Sequence, residues 1–216
     1  MLATSRLIYR KILLYSQRIR FRRVFMDFVA IDVETANQNP SSICQIGVAS
    51  FTKGRLVDAW GTLVNPEDSF LPFNVQLHGI QPCDVVLSPT WIDLQSELRN
   101  RLERYILASH TYFDRGAMNG ASERYGLKPI SAAGWIDTCQ VARTAWPGIP
   151  NHKLTSLSRT FGIAYEAHDA AEDARCAGEI LILAVRSTGL SLDELSRGTR
   201  VRSGLARYPF RKSALR

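Results

Sequence analysis

Residues 28–35 read Phe28-Val29-Ala30-Ile31-Asp32-Val33-Glu34-Thr35. Four apolar residues in a row suit a short strand covered on both faces, the middle of a sheet. Asp32 and Glu34 then follow, two positions apart. On a strand such positions share a face, so both carboxylates leave the buried run on one side, within roughly 7 Å of each other. Two like charges that close, partly shielded from water, each disfavour the other's ionised form. Protonation, an Arg or Lys, or a divalent cation has to compensate. No basic residue follows Glu34 until Lys53. Oxygen ligands from a few carboxylates plus a substrate phosphate are what Mg2+ and Mn2+ accept. Taken alone, the pair reads more simply as two hydrated acids at a fraying strand end.

Outward from this strand, Ser42–Phe51 and Leu56–Val64 are strand candidates joined by a hairpin at Thr52-Lys53-Gly54-Arg55. Pro66, Pro72, Gly79 and Pro82 break the next stretch into loops and short helical turns. Trp91, Leu94, Leu98, Leu102 and Tyr105 repeat at three or four residues and predict an amphipathic helix over Thr90–Ala108. Pro89, Thr90 and Asp93 are its start signals, and Tyr105–His110 turns into a short strand after it. A helix is expected over Asp114–Tyr125, stopped by Gly126, then a strand over Trp135–Thr138. A short helix over Lys153–Phe161 stops at Gly162, and a long Ala-rich helix spans Asp169–Arg186. Ser191 caps one more turn through Glu194. Three strands followed by alternating helix and strand make an α/β domain with a mixed sheet.

Charge is distributed unevenly. The chain of 216 residues carries 27 Lys and Arg against 20 Asp and Glu. Residues 1–26 hold seven basic residues and no acid, and residues 186–216 hold eight against Asp193 and Glu194. The stretch between is left with a net charge of −6. The domain organisation expected is a basic extension over 1–26, a folded body over 27–186 and a basic tail over 187–216. An acidic body that works on a polyanion needs cations in its site, whereas basic ends suit phosphate or simple solvation. The first segment is Arg-rich and acid-free, as in a presequence. Met26 directly before the first acid favours an upstream extension instead. Cys44, Cys83, Cys139 and Cys176 form no CxxC pair, which excludes zinc-ligand spacing and suits reduced thiols in the cytoplasm. No apolar run reaches the ~18–20 residues of a membrane span, so no membrane partner is expected. Composition is ordinary for a globular chain, which excludes wholesale disorder and a disulfide scaffold.

Two further clusters carry chemistry. Asp114 follows Ser109-His110-Thr111-Tyr112-Phe113 and opens a helix, where an Asp is commonly just a cap. Farther on stands His168-Asp169-Ala170-Ala171-Glu172-Asp173. Its alanines permit close approach of the helix to the sheet, with Asp173 on the packed face. An imidazole has an ordinary pKa near ~6.5, which makes His168 the candidate for proton transfer near neutral pH.

Together these clusters resemble the DEDD family of 3′→5′ exonucleases, in the branch whose last motif contains a histidine. The DxET motif is Asp32-Val33-Glu34-Thr35, the HNxxFD-like motif is His110-Thr111-Tyr112-Phe113-Asp114, and HxxxxD runs from His168 to Asp173. Cys44-Gln45-Ile46-Gly47, His78-Gly79-Ile80 and His152-Lys153-Leu154 connect them, and the likeness spans Asp27 to Val185. Thr111 departs from the family, which often has Asn there, and this puts the fixing of the second motif in doubt. The likeness is greatest to the proofreading-subunit-like domains of bacterial DNA polymerase III.

The resemblance implies a ribonuclease H-like mixed β-sheet flanked by α-helices. It implies two Mg2+ or Mn2+ ions held by Asp32, Glu34, Asp114 and Asp173, with His168 as general base. Thr35, Leu77 and His78 are implied at the terminal nucleotide, and Phe113 is expected in the core rather than against a base. The partner implied is the 3′ end of single-stranded nucleic acid, with a DNA polymerase as a further one; oligomeric state is left open. DNA is favoured over RNA, the alternative being a ribonuclease T- or oligoribonuclease-like enzyme. The competing class is a non-catalytic nucleic-acid-binding module.

Overall fold

The computed structural model describes residues 26–196; the basic segments 1–25 and 197–216 lie outside the described residues. Five strands form one sheet in the order β3-β2-β1-β4-β5. They are β1 (Phe28–Thr35), β2 (Ile43–Thr52), β3 (Arg55–Leu63), β4 (Ile106–Ser109) and β5 (Gly134–Asp137). The hairpin strands β1, β2 and β3 pair antiparallel, while β1 with β4 and β4 with β5 run parallel. The β2–β3 turn is the two-residue Lys53-Gly54, with φ of 53° and 67°. Positive φ at both positions matches the right-handed twist of the strands it joins.

The helices are α1 (Pro72–His78), α2 (Gln95–Leu102), α3 (Phe113–Arg124), α4 (Thr138–Ala145), α5 (Leu154–Phe161), α6 (Ala170–Thr188) and α7 (Leu192–Ser196). They cover both faces of the sheet, which is why the centre of β1 is apolar without alternation. Phe28 and Ala30 pack with Ala49 and Phe51 against α4, α5 and α6. Val29, Ile31 and Val33 pack with Ile46 and Val48 against α2 and α3. The even-numbered face of β1 is therefore the α6 face, and Asp32 and Glu34 continue it.

Helix α6 lies very close to the sheet. A Cβ on Gly47 would stand 2.0 Å from the Ala170 carbonyl oxygen, and one on Gly178 would stand 2.2 Å from the Phe51 ring. Beside Gly47, the Gln45 side chain accepts from the Ala170 amide at 3.2 Å and faces the Asp169 carboxylate. Asp169 itself caps the helix, accepting from the Ala171 and Glu172 amides at 3.0 Å each.

The expected helix over Thr90–Ala108 is shorter. Trp91 and Leu94 are buried, but in turns that precede α2, and Asp93 accepts from the Thr90 amide and hydroxyl. The chain leaves the helix after Leu102 because it must enter β4: Arg104 takes φ 71° and its amide donates to Ser131 O. Tyr105, in the bend before β4, is 46% exposed. Strand β5 ends at Asp137, and Thr138 opens α4, a helix absent from the sequence reading. At the other end α6 runs to Thr188, and Leu192 of α7 is buried in the same core. The packed body thus continues past residue 186. Among the described residues no helix is long and apolar enough to cross a membrane, and no cysteine is in a disulfide.

Candidate active site

Three chain segments deliver the charged side chains to the carboxyl end of β1. The strand supplies Asp32 and Glu34. From the far side of the sheet α3 supplies Asp114 in its first turn, and Asp114 Oδ1 accepts from the Val33 amide at 3.1 Å. It is no cap: Tyr112 holds that position without a side-chain bond. The third segment is the loop into α6, where the His168 amide donates to Asp173 Oδ2 at 2.7 Å. That bond sets His168 at φ 68°, a conformation uncommon for a residue with a Cβ and concentrated at functional sites.

Glu34, His168 and Asp173 each present a ligand atom within 4.8 Å of the others, with His168 Nδ1 3.8 Å from Glu34 Oε1. Asp32 and Asp114 stand just outside this trio but share its field. Burial, then the charges of Asp114, Asp173 and Glu34, hold the Asp32 carboxyl well above the usual carboxylate range. Burial and the Asp173, Asp114 and Asp169 charges push Glu34 up to about 8. Asp114 rises to about 7 and Asp173 to about 6, chiefly through burial, with the amides of Val33 and His168 respectively pulling the other way. Among the described residues no Lys or Arg forms an ion pair with any of the four. The donor set is oxygen plus one imidazole, crowded and uncompensated, and that fits a hard divalent cation.

The other expected residues fall around this centre. The Thr35 carbonyl accepts from His78 Nε2 at 3.2 Å and from the Asn74 amide group at 2.8 Å, tying α1 to the end of β1. His78 Nδ1 accepts from the Ile80 amide, so both ring nitrogens are engaged, and burial lowers its pKa. What His78 offers a ligand is ring surface. Leu77 is exposed on the same helix. A groove of about 340 Å³ runs from His168 and Asp169 to His78, Gly79 and Ile80. Phe113 corrects the expectation of core packing: it is 48% exposed, as is Tyr112 at 50%, because the backbone of the second motif turns Asp114 inward instead. Thr111, in place of Asn, fixes that turn itself by accepting from the Phe113 amide, while Ser109 Oγ bonds the Thr111 carbonyl. His110 is half-buried, bonded to Thr138 Oγ1 and to the His152 carbonyl, and desolvation depresses its pKa to about 4. It is a neutral structural residue.

Two contributors were not foreseen. The Tyr165 hydroxyl is buried beside the Asp173 carboxylate and within the field of Asp32. Arg175, paired with Glu172 and Glu179, also donates to the Ala164 carbonyl at 2.5 Å and so ties the His168 loop to the helix carrying Asp173. No motif announces Tyr165. For Arg175, acids three residues before and four after it were the available signal.

The family described as exonuclease, of the ribonuclease T type, matches residues 29–181. A DNA polymerase III PolC-type of Streptococcus agalactiae is 29% identical over 160 residues, 72% of this chain and 11% of that polymerase. A Streptococcus pneumoniae polymerase of the same name is 29% identical over 163 residues, 74% of this chain and again 11% of its own length. The chain thus spans about a tenth of these relatives. Among solved structures, Exonuclease X in complex with 5′ overhanging duplex DNA superposes with a TM-score of 0.63 at 21% identity, covering 79% of this chain and 98% of that one. A 3′-exonuclease recognising a histone mRNA stem-loop gives 0.65 at 19%, covering 80% and 84%. E. coli Exonuclease I with a dT13 oligonucleotide gives 0.66 at 15%, covering 76% and 42%. These likenesses establish the fold as that of the exonucleases.

Proposed function

Because the chain belongs to the exonuclease family and is a nuclease, we propose that it removes nucleotides from the 3′ end of a single-stranded nucleic acid, DNA above all, as 5′-monophosphates. The observation that carries this reading is the convergence of Asp32, Glu34, Asp114 and Asp173 with His168 from three separate segments.

Two Mg2+ or Mn2+ ions suit the site, held by Asp32, Glu34 and Asp173, with Asp114 adding its charge from the Val33 side. When bound, such ions supply positive charge that stabilises the phosphoryl group as negative charge develops on it. The protein's own part is positioning and proton transfer. His168 has a 42% exposed side chain with Nδ1 toward Glu34, so its imidazole reaches both the carboxylates and solvent. It takes the proton of the attacking water while the Asp173–amide bond holds its loop in place. Thr35, Leu77 and His78 form the wall for the terminal nucleotide, and exposed Phe73, Tyr112 and Phe113 offer aromatic faces for stacking, which is tolerant of sequence.

The polymerase relatives support an association with a replicative polymerase, and the described thiols suit a cytoplasmic setting. A structural relative that recognises an RNA stem-loop keeps RNA as the second reading, since nothing on the site reads a 2′-hydroxyl. Matched end-labelled single-stranded DNA, duplex DNA and RNA, digested with Mg2+ or Mn2+ and with EDTA as control, test the proposal. Metal-dependent release of mononucleotides from 3′ ends is expected. Inertness on all three substrates, or cleavage that survives EDTA, would sink it.

A further inference from the structure

An enzyme that trims a strand from its end must hold the part that remains, and an acidic body repels phosphates. One opening adjoins the site at His168, and another opens beside the second-motif loop. The groove beside His168 is lined by Asp84, Glu166 and Asp169 and by no Lys or Arg. A second cavity, of about 480 Å³, lies where the second-motif loop meets the end of α4 and the chain entering α5. His110, Thr111, Arg143, Asn151, His152 and Lys153 line it, and no Asp or Glu does. Arg143 and Lys153 are exposed, and neither forms an ion pair among the described residues. The carboxylate whose charge Arg143 feels is Asp137, already engaged in capping α4 through the Gln140 amide at 2.8 Å.

The wall between these two cations is tied together by hydrogen bonds. His110 bridges Thr138 and the His152 carbonyl, His152 Nε2 reaches the Trp146 carbonyl at 3.0 Å, and Asn151 Oδ1 accepts from the Lys153 amide. Thr111 on its rim is three residues from Asp114, at most ~11 Å of chain. A phosphate close behind the one being cut therefore comes within reach.

We propose that this cavity is a second phosphate subsite, in which Arg143 and Lys153 hold a phosphodiester of the same strand on the 5′ side of the scissile bond. It rests on the exonuclease reading and gives the strand its path: the end lies over the carboxylates, and the backbone leaves past the second-motif loop, away from Asp84 and Glu166. The cations act by charge, so the subsite adds affinity without base preference.

The test uses the full chain and the double variant Arg143→Gln/Lys153→Gln, assayed with Mg2+ on a long single-stranded oligonucleotide and on a dinucleotide. The expected result is a roughly tenfold rise in KM for the long strand, the scale of one charge-assisted hydrogen bond. The slope of log affinity against log salt should become shallower by about 0.7–1.4, the counterion release of one or two phosphate contacts on a single strand. Dinucleotide hydrolysis, too short to reach the cavity, should move far less, and Arg143→Lys/Lys153→Arg should recover most of the long-strand affinity. An unchanged salt slope in a folded variant, or equal loss on both substrates, overturns the subsite while leaving the exonuclease intact. A wild-type protein inert on every substrate overturns the exonuclease reading first.

Discussion

Glu34 shows how a side chain acquires its chemistry from its neighbours. An isolated glutamate is ionised at neutral pH, whereas here burial and three nearby aspartates push it up to about 8. A group in that condition gains by sharing its charge with a cation, and His168, 3.8 Å away, is placed to move protons beside it. His168→Ala should cut turnover by roughly 10²-fold or more, the scale of a general base, while calorimetry still detects Mn2+ uptake by the carboxylates. Asp32→Ala should remove uptake and turnover together. Loss of Mn2+ uptake in the histidine variant would instead make His168 a ligand.

At the scale of elements, the site exists because α6 can lie almost on β2. Gly47→Ala would drive a Cβ into the Ala170 carbonyl, and neither partner is a flexible side chain, so β2 or the start of α6 must shift. Overpacking of this kind costs about 1–3 kcal/mol, read as a lower urea midpoint. Turnover should fall further than stability, since Asp173 and the His168 loop sit on the displaced helix; normal turnover would show that the approach does not position the acid. This element was legible as a motif, Cys44-Gln45-Ile46-Gly47, but its reason was not, because a glycine's clearance depends on a helix more than a hundred residues away. The strand bearing Asp32 and Glu34 was legible for the opposite reason: an unbroken apolar run followed by paired acids is local information. The helix expected over Thr90–Ala108 failed where periodicity reports burial and not backbone, since Trp91 is buried from a turn and Tyr105 is exposed in a bend. Helix α4 was missed because it starts directly on the last residue of β5, with Asp137 ending the strand and capping the helix at once.

Across the whole molecule, the crowded carboxylates link folding, protons and metal. Asp173, Asp114 and Glu34 stand at about 6, 7 and 8 in the folded protein, and Asp32 stands well above its usual range. Unfolded, all four ionise near ~4. The metal-free native state therefore binds more protons than the unfolded chain in between. The stability these groups contribute is full below pH ~4 and is lost as pH rises through each folded value. His110, depressed to about 4 from an ordinary 6.5, acts the other way, since its unfolded form takes up the proton below 6.5. The two trends overlap in acid and separate above it, so from about pH 6.5 to 8.5 the carboxylates lower stability, joined near the alkaline end by the Cys44, Cys139 and Cys176 thiols, which burial raises. In EDTA the melting temperature should fall across that window. Divalent ions bind the ionised carboxylates of the native state alone, so saturating Mg2+ or Mn2+ should lift the Tm, and lift it most at the alkaline end, where no proton has to be displaced. Differential scanning fluorimetry at a series of pH values, with and without the ion, measures both slopes. A metal-free Tm that stays level from pH 6.5 to 8.5, together with an ion-induced gain independent of pH, would mean that the four acids are not under mutual strain and that the site is held by something other than shared cations.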